Sequence, residues 1–322
     1  MQEISRIYSE ISTKYLEEEF HWADLGSFGA ADAYLLPLTS IKGKCLCIEG
    51  RQDSKDASNA YKNNPYIKAE IEAVQTFISN KSEQRFFYES REGGGSSFYP
   101  SQDLISQVLE GSKDKILNRK IVDCESLKGV LERKNLECIF IKADLEGAEF
   151  ESLESVIDIE NENRPLVLEV EINIGERGPF KSMGDGLAKY ERLGYRLIDM
   201  RKTYFYPKGN IFAEDTINND PIYAPHYQGC LHQADLLLIN TECLYDPKSI
   251  SKNKLIGLAL VLLLYRQFHL VAKLLELRDE VWSQQFASEI IPVVFNEFRN
   301  VAVSNQSALW GYHPLFNWLK ST

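Results

Sequence analysis

Several common catalytic signatures are missing from this 322-residue chain. It has no G-x-x-x-x-G-K-[ST], which excludes a P-loop phosphate cradle. It has neither H-E-x-x-H nor G-x-S-x-G, so no zincin helix and no nucleophile elbow is encoded. The G-x-G-x-x-G spacing of a nicotinamide dinucleotide turn is also absent. Six cysteines stand at positions 45, 47, 124, 138, 230 and 243. Only Cys45 and Cys47 are close, and no second Cys/His pair follows at zinc spacing. They read as reduced, small core residues. The longest apolar run, Leu255 to Tyr265, falls short of the roughly 20 residues that a bilayer span needs. Positive charge is scarce, with 36 Lys and Arg against 47 Asp and Glu and a formal net charge of −11. A nucleic acid as the main partner is disfavoured on that balance.

The chain does have apolar mass. Hydrophobic residues make up 44%, with 4 Trp, 16 Tyr and 16 Phe, enough for a substantial core. The N-terminal MQEISRIYSEISTKYLEEEF is polar and acidic, unlike a signal or transit peptide, and the expectation is a cytoplasmic protein. Helical spacing of Ile4, Ile7, Tyr8, Ile11 and Tyr15 opens the chain. Strand and helix signals then alternate. Strands are expected at 20–25, 44–49, 67–78, 85–88, 139–143, 165–172, 195–199 and 234–239. Helices are expected from Ala30, over 53–61, over Asp123 to Lys134, over 153–157 and over 187–193. The alternation predicts an α/β fold with a doubly wound, mostly parallel sheet. The last two strands have no obvious helix between them, so they read as an antiparallel edge pair. After Pro247 the strand signals stop. Asn253 to Leu277 is apolar nearly all round and reads as one buried helix. Trp282, Phe286, Ile290, Val294 and Phe298 form an aromatic stripe on the next, with Pro292 inside it. The expected organisation is a domain over 1–246 and an all-helical extension over 247–322. The extension reads as a packing or dimerisation appendage, through which a homo-oligomer could form, rather than a specificity cap.

Two strand ends carry the chemistry. Asp24-Leu25-Gly26-Ser27-Phe28-Gly29-Ala30 is a strand, a glycine turn and a helix opening, a pattern that suits anions and nucleotides. About 24 residues later the next strand ends in Glu49, where an acid accepts hydrogen bonds from both hydroxyls of a ribose. Each has a plain alternative, a common G-x-x-G turn and an exposed strand-end acid; together they are more specific. The second strand end is IFIKADLEGAE, Ile139 to Glu149. A buried strand halts at Asp144, with Glu146 and Glu149 beyond it and Lys142 in phase with Asp144. Strand-end carboxylates of this kind overlie ligand sites in open α/β sheets. The plain alternative is an acidic first helical turn that suits the helix dipole. The five histidines, at 21, 226, 232, 269 and 313, are dispersed. His226 and His232 read as ordinary loop residues.

The order of these motifs resembles the FkbM-type methyltransferases, a branch of the class I S-adenosylmethionine-dependent fold. That family shows D-x-G-A-N-x-G, an F-E-P-type motif, an S-S pair after a variable loop, an L-D-x-L helix, K-x-D-x-E-G-A-E and an E-x-H-like strand end. The corresponding stretches here read DLGSFGA, IEG, GGGSSFYP, VDCESLKGVL, IKADLEGAEFESL and LEVEI, in the same order, over about residues 20 to 240. Phe28 stands where the family has Asn, Ala30 where it has its last glycine, and Gly50 where it has proline. The resemblance implies a Rossmann-like sheet and S-adenosylmethionine as cofactor. It puts the methionine end on Asp24, Gly26, Ser27 and Gly29, and the ribose on Glu49. The adenine falls to the segment 76–80, with Phe77 and Ser79, and the methionine ammonium or the reacting hydroxyl to Asp144.

The expected reaction is in-line methyl transfer to an oxygen of a sugar, glycan or natural product. Asp144, Glu146 and Glu169 are the base candidates, and Lys142 lowers or orients a carboxylate. A divalent metal held by Asp144 with Glu169, Glu171 or Asn173 is a less favoured route. The rival from another class is a scaffold that kept the fold and binds S-adenosylmethionine without turnover.

Overall fold

A computed structural model describes residues 2–26, 33–51, 54–90, 96–99, 116–158, 163–173, 183–206 and 230–304. Helix α1 (Gln2–Tyr15) leads to β1 (Phe20–Leu25), a 3-10 helix (Ala33–Ser40), β2 (Gly43–Glu49), α2 (Ser54–Lys62) and β3 (Ala69–Gln75). Strands β4 (Phe77–Ser79), β5 (Glu83–Ser90) and β6 (Ile116–Ser126) come next, then α3 (Leu127–Lys134), β7 (Phe140–Ala143) and α4 (Glu149–Ile157). After β8 (Val167–Asn173) follow α5 (Met183–Arg192), β9 (Tyr195–Tyr206), β10 (Cys230–Asn240), α6 (Thr241–Tyr245), α7 (Lys252–Leu264), α8 (Phe268–Arg278) and α9 (Val281–Ser304).

The seven-stranded sheet has the order β3-β2-β1-β7-β8-β10-β9. The first five of these run parallel, and β10 is antiparallel to both β8 and β9. This is the expected doubly wound, Rossmann-like sheet with an antiparallel edge. The chain winds outward from β1 to β3, then returns to lay β7 on the other side of β1. The carboxyl ends of β1 and β7 therefore flank the switch point, where open α/β sheets bind ligands.

Side-chain alternation sorts the strands onto two cores. Trp22, Phe140, Val167 and Leu237 face α1, the 3-10 helix and α7. Ala23, Ile141, Leu168 and Val170 face the helices α3, α4 and α5. Every residue from Leu255 to Leu264 in α7 is buried, which is why that helix is apolar all round. The Tyr8 hydroxyl donates to the Leu260 carbonyl at 2.8 Å and ties α1 to α7. The helices after residue 247 thus share the core of the sheet. The stripe Phe286, Ile290, Val294 and Phe298 is buried on α9, and Pro292 lies within that helix. The five cysteines with described side chains are buried and unpaired. No helix among the described residues is long and apolar enough to cross a membrane.

Five sequence expectations are corrected. The stretch 67–78, expected to hold one strand, holds two: β3 stays in the main sheet, while β4 joins β5 and β6 in a separate three-stranded sheet. The helix expected from Asp123 begins only at Leu127. Residues up to Cys124 pair with β5 and Cys124–Ser126 with β4, and Ser126 Oγ caps the helix by accepting from the Gly129 N–H at 3.1 Å. Val122 and Cys124 are buried while Ile121 is 61% exposed, the period of two of a strand. Third, the single helix expected over 253–277 is two, separated at Tyr265–Gln267, where Arg266 takes a φ of 60°. The helix expected from Ala30 is a 3-10 helix from Ala33, and His232 lies in β10 rather than a loop. His226 and residues 27–32 lie outside the described residues.

Candidate active site

Backbone bonds stitch three strand ends together. The Gly26 N–H donates to the Ile48 carbonyl at 2.9 Å, and the Asp144 N–H to the Leu25 carbonyl at 3.0 Å. Gly26 has a φ of 76°, and a Cβ there would lie 1.8 Å from the Asp144 carbonyl oxygen. Only glycine lets the turn after β1 lie against the end of β7. Ser27 and Gly29, expected in the same turn, lie outside the described residues.

Asp24, Lys142 and Glu169 are in register across β1, β7 and β8, on one face of the sheet. Lys142 is only 5% exposed. Its Nζ lies 3.2 Å from Asp144 Oδ2 and 3.8 Å from Asp24 Oδ1. Asp24 is 1% exposed and also accepts from the Tyr61 hydroxyl at 2.5 Å. Burial, and then the charge of Asp24, push the Tyr61 phenol well up, so it stays a donor. Lys142 is therefore an internal counter-ion that links the buried Asp24 to the more open Asp144.

The end of β2 holds a second group. Glu49 is mostly buried and accepts from the Arg51 N–H at 3.0 Å. The Thr76 N–H donates to the Glu49 carbonyl at 3.2 Å, which sets the start of β4 beside it. The next residue, Gly50, lies under the Phe77 ring: a Cβ at Gly50 would be 2.3 Å from Phe77 Cδ1. This contact explains glycine where the resembled family has proline. Phe77 packs in turn on Phe87, with ring centroids 4.7 Å apart. Ser79 is buried and its hydroxyl is taken up by Glu83 at 3.1 Å and Arg85 at 3.3 Å. That binds it into the link between the small sheet and α4.

The acidic block after β7 is a reverse turn, with Glu146 at φ 57° and Gly147 at φ 102°. Glu149 shapes it: its buried carboxylate accepts from the Leu145 N–H at 2.8 Å and the Gly147 N–H at 3.0 Å. Burial pushes the Glu149 carboxyl up to about 7 against the pull of those backbone bonds. Ser97 of the S-S pair donates to the Glu146 carbonyl at 2.6 Å and fastens the turn from the other side. Carboxylate oxygens of Asp144, Glu146 and Glu171 lie within 4.8 Å of one another. Glu171, near the end of β8, is 9% exposed. Burial, and then the charges of Asp144, Glu146, Glu149 and Asp235, push its carboxyl well above the usual range.

The expected base candidates thus part company. Asp144 and Glu146 sit together at the mouth of the site. Glu169 lies deeper on β8, where its oxygens accept from the Tyr34 hydroxyl at 2.6 and 2.7 Å and from the Tyr265 hydroxyl. The Arg201 guanidinium lies 5.0 Å and 4.5 Å from those two ring centroids. Glu169 thereby anchors the 3-10 helix and the end of α7 to the sheet, and Glu171, two residues on, takes the place by Asp144. The repeat in LEVEI signals that both glutamates share a face; nothing local marks which reaches the opening. Tyr61, Tyr34 and Tyr265 carry no sequence signal for their roles, since each meets its carboxylate only through the tertiary fold. Asn173 closes β8, and its side chain lies outside the described residues.

No curated protein matches the chain. The methyltransferase FkbM domain matches residues 28–197, more than half of the sequence and the stretch that builds most of this site. The chain belongs to the FkbM methyltransferase family.

Proposed function

We propose that this protein methylates a hydroxyl group of a small molecule, sugar or glycan, with S-adenosylmethionine as the methyl donor. The observation that carries the reading is the alignment of the Gly26 turn, Glu49 and Asp144 at the carboxyl ends of the adjacent parallel strands β1, β2 and β7. The residues fit the donor. Glu49 offers a carboxylate for ribose hydroxyls, and the Phe77 ring over Gly50 offers an apolar wall for a base. The Gly26 turn brings backbone, rather than a side chain, to the floor of the site.

The bound donor supplies an electrophilic methyl on a sulfonium, so the protein needs only to align the nucleophile and remove its proton. Asp144 is the residue assigned to the acceptor hydroxyl. It is the more open member of the Lys142 pair, and Lys142 holds its carboxylate in place. The hydroxyl proton would pass to the Asp144 carboxylate, which frees the oxygen to accept the methyl group. Glu169 is left out of this step because both its oxygens are occupied by tyrosine hydroxyls.

The test is calorimetry with S-adenosylmethionine, S-adenosylhomocysteine and NAD. A methyl-transfer assay over a panel of sugars and nucleotide sugars, read by mass, completes it. The expected result is binding of the two sulfur compounds and a product heavier by one methylene. Binding of NAD alone would overturn the reading. Binding of S-adenosylmethionine with no transfer to any acceptor would favour a silent scaffold.

A further inference from the structure

We propose that Asp144, Glu146 and Glu171 bind a hard divalent cation of the magnesium, manganese or calcium class at the opening between β7 and β8. Three carboxylates converge there from two neighbouring strand ends and the turn between β7 and α4, with oxygens within 4.8 Å of one another. A cation at about 2.0–2.6 Å from each ligand, the range from magnesium to calcium, holds neighbouring oxygens roughly 3–4 Å apart and opposite ones roughly 4–5 Å apart, so these side chains can close on one ion by small rotations. The donor set is all oxygen, which suits hard cations rather than zinc or copper.

An independent observation points to a ligand. Glu171 Oε2 is fully buried and has no hydrogen-bond partner among the described residues. A buried carboxylate oxygen left this way costs several kcal/mol unless something positive meets it. Lys142 does not fill that place: its ammonium lies between Asp144 and Asp24. On the flank stands another acid, Asp235, mostly buried and in register with Glu171 on β10. A proton on Glu171 would relieve that one oxygen, whereas a divalent cation would meet it and draw on Asp144 and Glu146 as further ligands.

The turn is braced as metal ligands usually are, by groups behind them. Glu149 holds the Leu145 and Gly147 amides, and Ser97 holds the Glu146 carbonyl. The Asp144 side chain is 35% exposed, so the ion keeps an open side for water or an acceptor oxygen. With the ion bound, Asp144 serves as a ligand in place of the free base, and a hydroxyl on the ion loses its proton more easily, to water at the open side. This catalytic role rests on the methyltransferase reading; the cation site itself does not.

The experiment titrates manganese into the chelator-stripped full chain, followed by electron paramagnetic resonance and calorimetry, with magnesium and calcium as competitors. S-adenosylmethionine binding is measured in the same samples. The expected result is one manganese per chain, displaced by magnesium or calcium. Glu171→Gln and Glu146→Gln should each weaken manganese by more than about tenfold while the fold, checked by circular dichroism, is kept. Glu146→Gln keeps the test alive if the buried Glu171→Gln fails to fold, because Glu146 sits on a surface turn. Manganese bound without S-adenosylmethionine would uphold the site and sink the methyltransferase reading. S-adenosylmethionine bound with no stoichiometric manganese, or a folded Glu146→Gln that binds manganese like the wild type, would overturn the cation site.

Discussion

Replacing Gly26 with alanine tests the joint between the first strand end and the acidic block. The perturbation is one methyl group. Alanine at a φ of 76° carries a backbone penalty of roughly 1–2 kcal/mol. The new Cβ would also lie 1.8 Å from the Asp144 carbonyl oxygen, whereas real Cβ contacts below 3.0 Å are essentially unknown. One of the two backbones must therefore retreat by about 1 Å, and overpacking of this kind costs about 1–3 kcal/mol. The two terms together come to about 2–5 kcal/mol, a fall in melting temperature on the order of 3–7 °C for a chain of this length. The retreat also moves Asp144 away from Lys142 and Glu171. A misplacement of about 1 Å at a reacting group costs on the order of a hundredfold in rate. Thermal melting by circular dichroism and calorimetry with S-adenosylmethionine read the two effects. Asp144→Asn is the companion variant: it keeps the backbone, so it should melt near the wild type and still lose transfer. A Gly26→Ala protein with wild-type melting temperature and cofactor affinity would refute the close approach of the two strand ends.

Three further outcomes are expected. Glu49→Gln should weaken S-adenosylmethionine by about 1–3 kcal/mol without lowering the melting temperature, since it removes charge-assisted bonds and leaves the core intact; unchanged affinity would remove Glu49 from the ribose site. Lys142→Met should destabilise the protein by about 3–5 kcal/mol, because Asp24 is then buried without its counter-ion. The double variant with Asp24→Asn should recover most of that loss, and no recovery would show that Lys142 acts through packing alone. Glu149 predicts a pH dependence. Its folded value of about 7 lies above the ordinary 4.5, so the folded chain holds the proton longer than the unfolded chain. Its contribution is full below about 4.5 and is lost as pH rises to about 7, by at most about 3 kcal/mol. Buried Glu171 acts in the same direction. Glu149→Gln should flatten this slope in denaturant titrations, and an unchanged slope would assign it to other groups.

Much of this protein was legible in its sequence because the relevant signals are local. Period-two and period-3.6 patterns marked β1, β2, β7, β8 and α1. The abrupt end of an apolar run marks Asp144 as a strand-end acid, and the structure places it just after β7. Local signals misled at 123–126: these residues read as the start of a helix, yet β5 and β4 claim them as strand partners. The apolar continuity of 253–277 also hid the break at Tyr265, because the demand for that break comes from Glu169 on β8, nearly a hundred positions away.

The strands β1, β2, β7 and β8 and the acids at their ends are legible in the sequence. Each depends on the order and spacing of residues within one strand or turn. Only the tertiary structure decided what each acid does. Asp24 and Glu169 share a face with Asp144 and Glu171, yet the first pair is capped by Lys142, Tyr61, Tyr34 and Tyr265. The second pair is left facing the opening with Glu146. The physical reason is that a carboxylate's role follows from its burial and its partners, and here those partners come from elements distant in the chain.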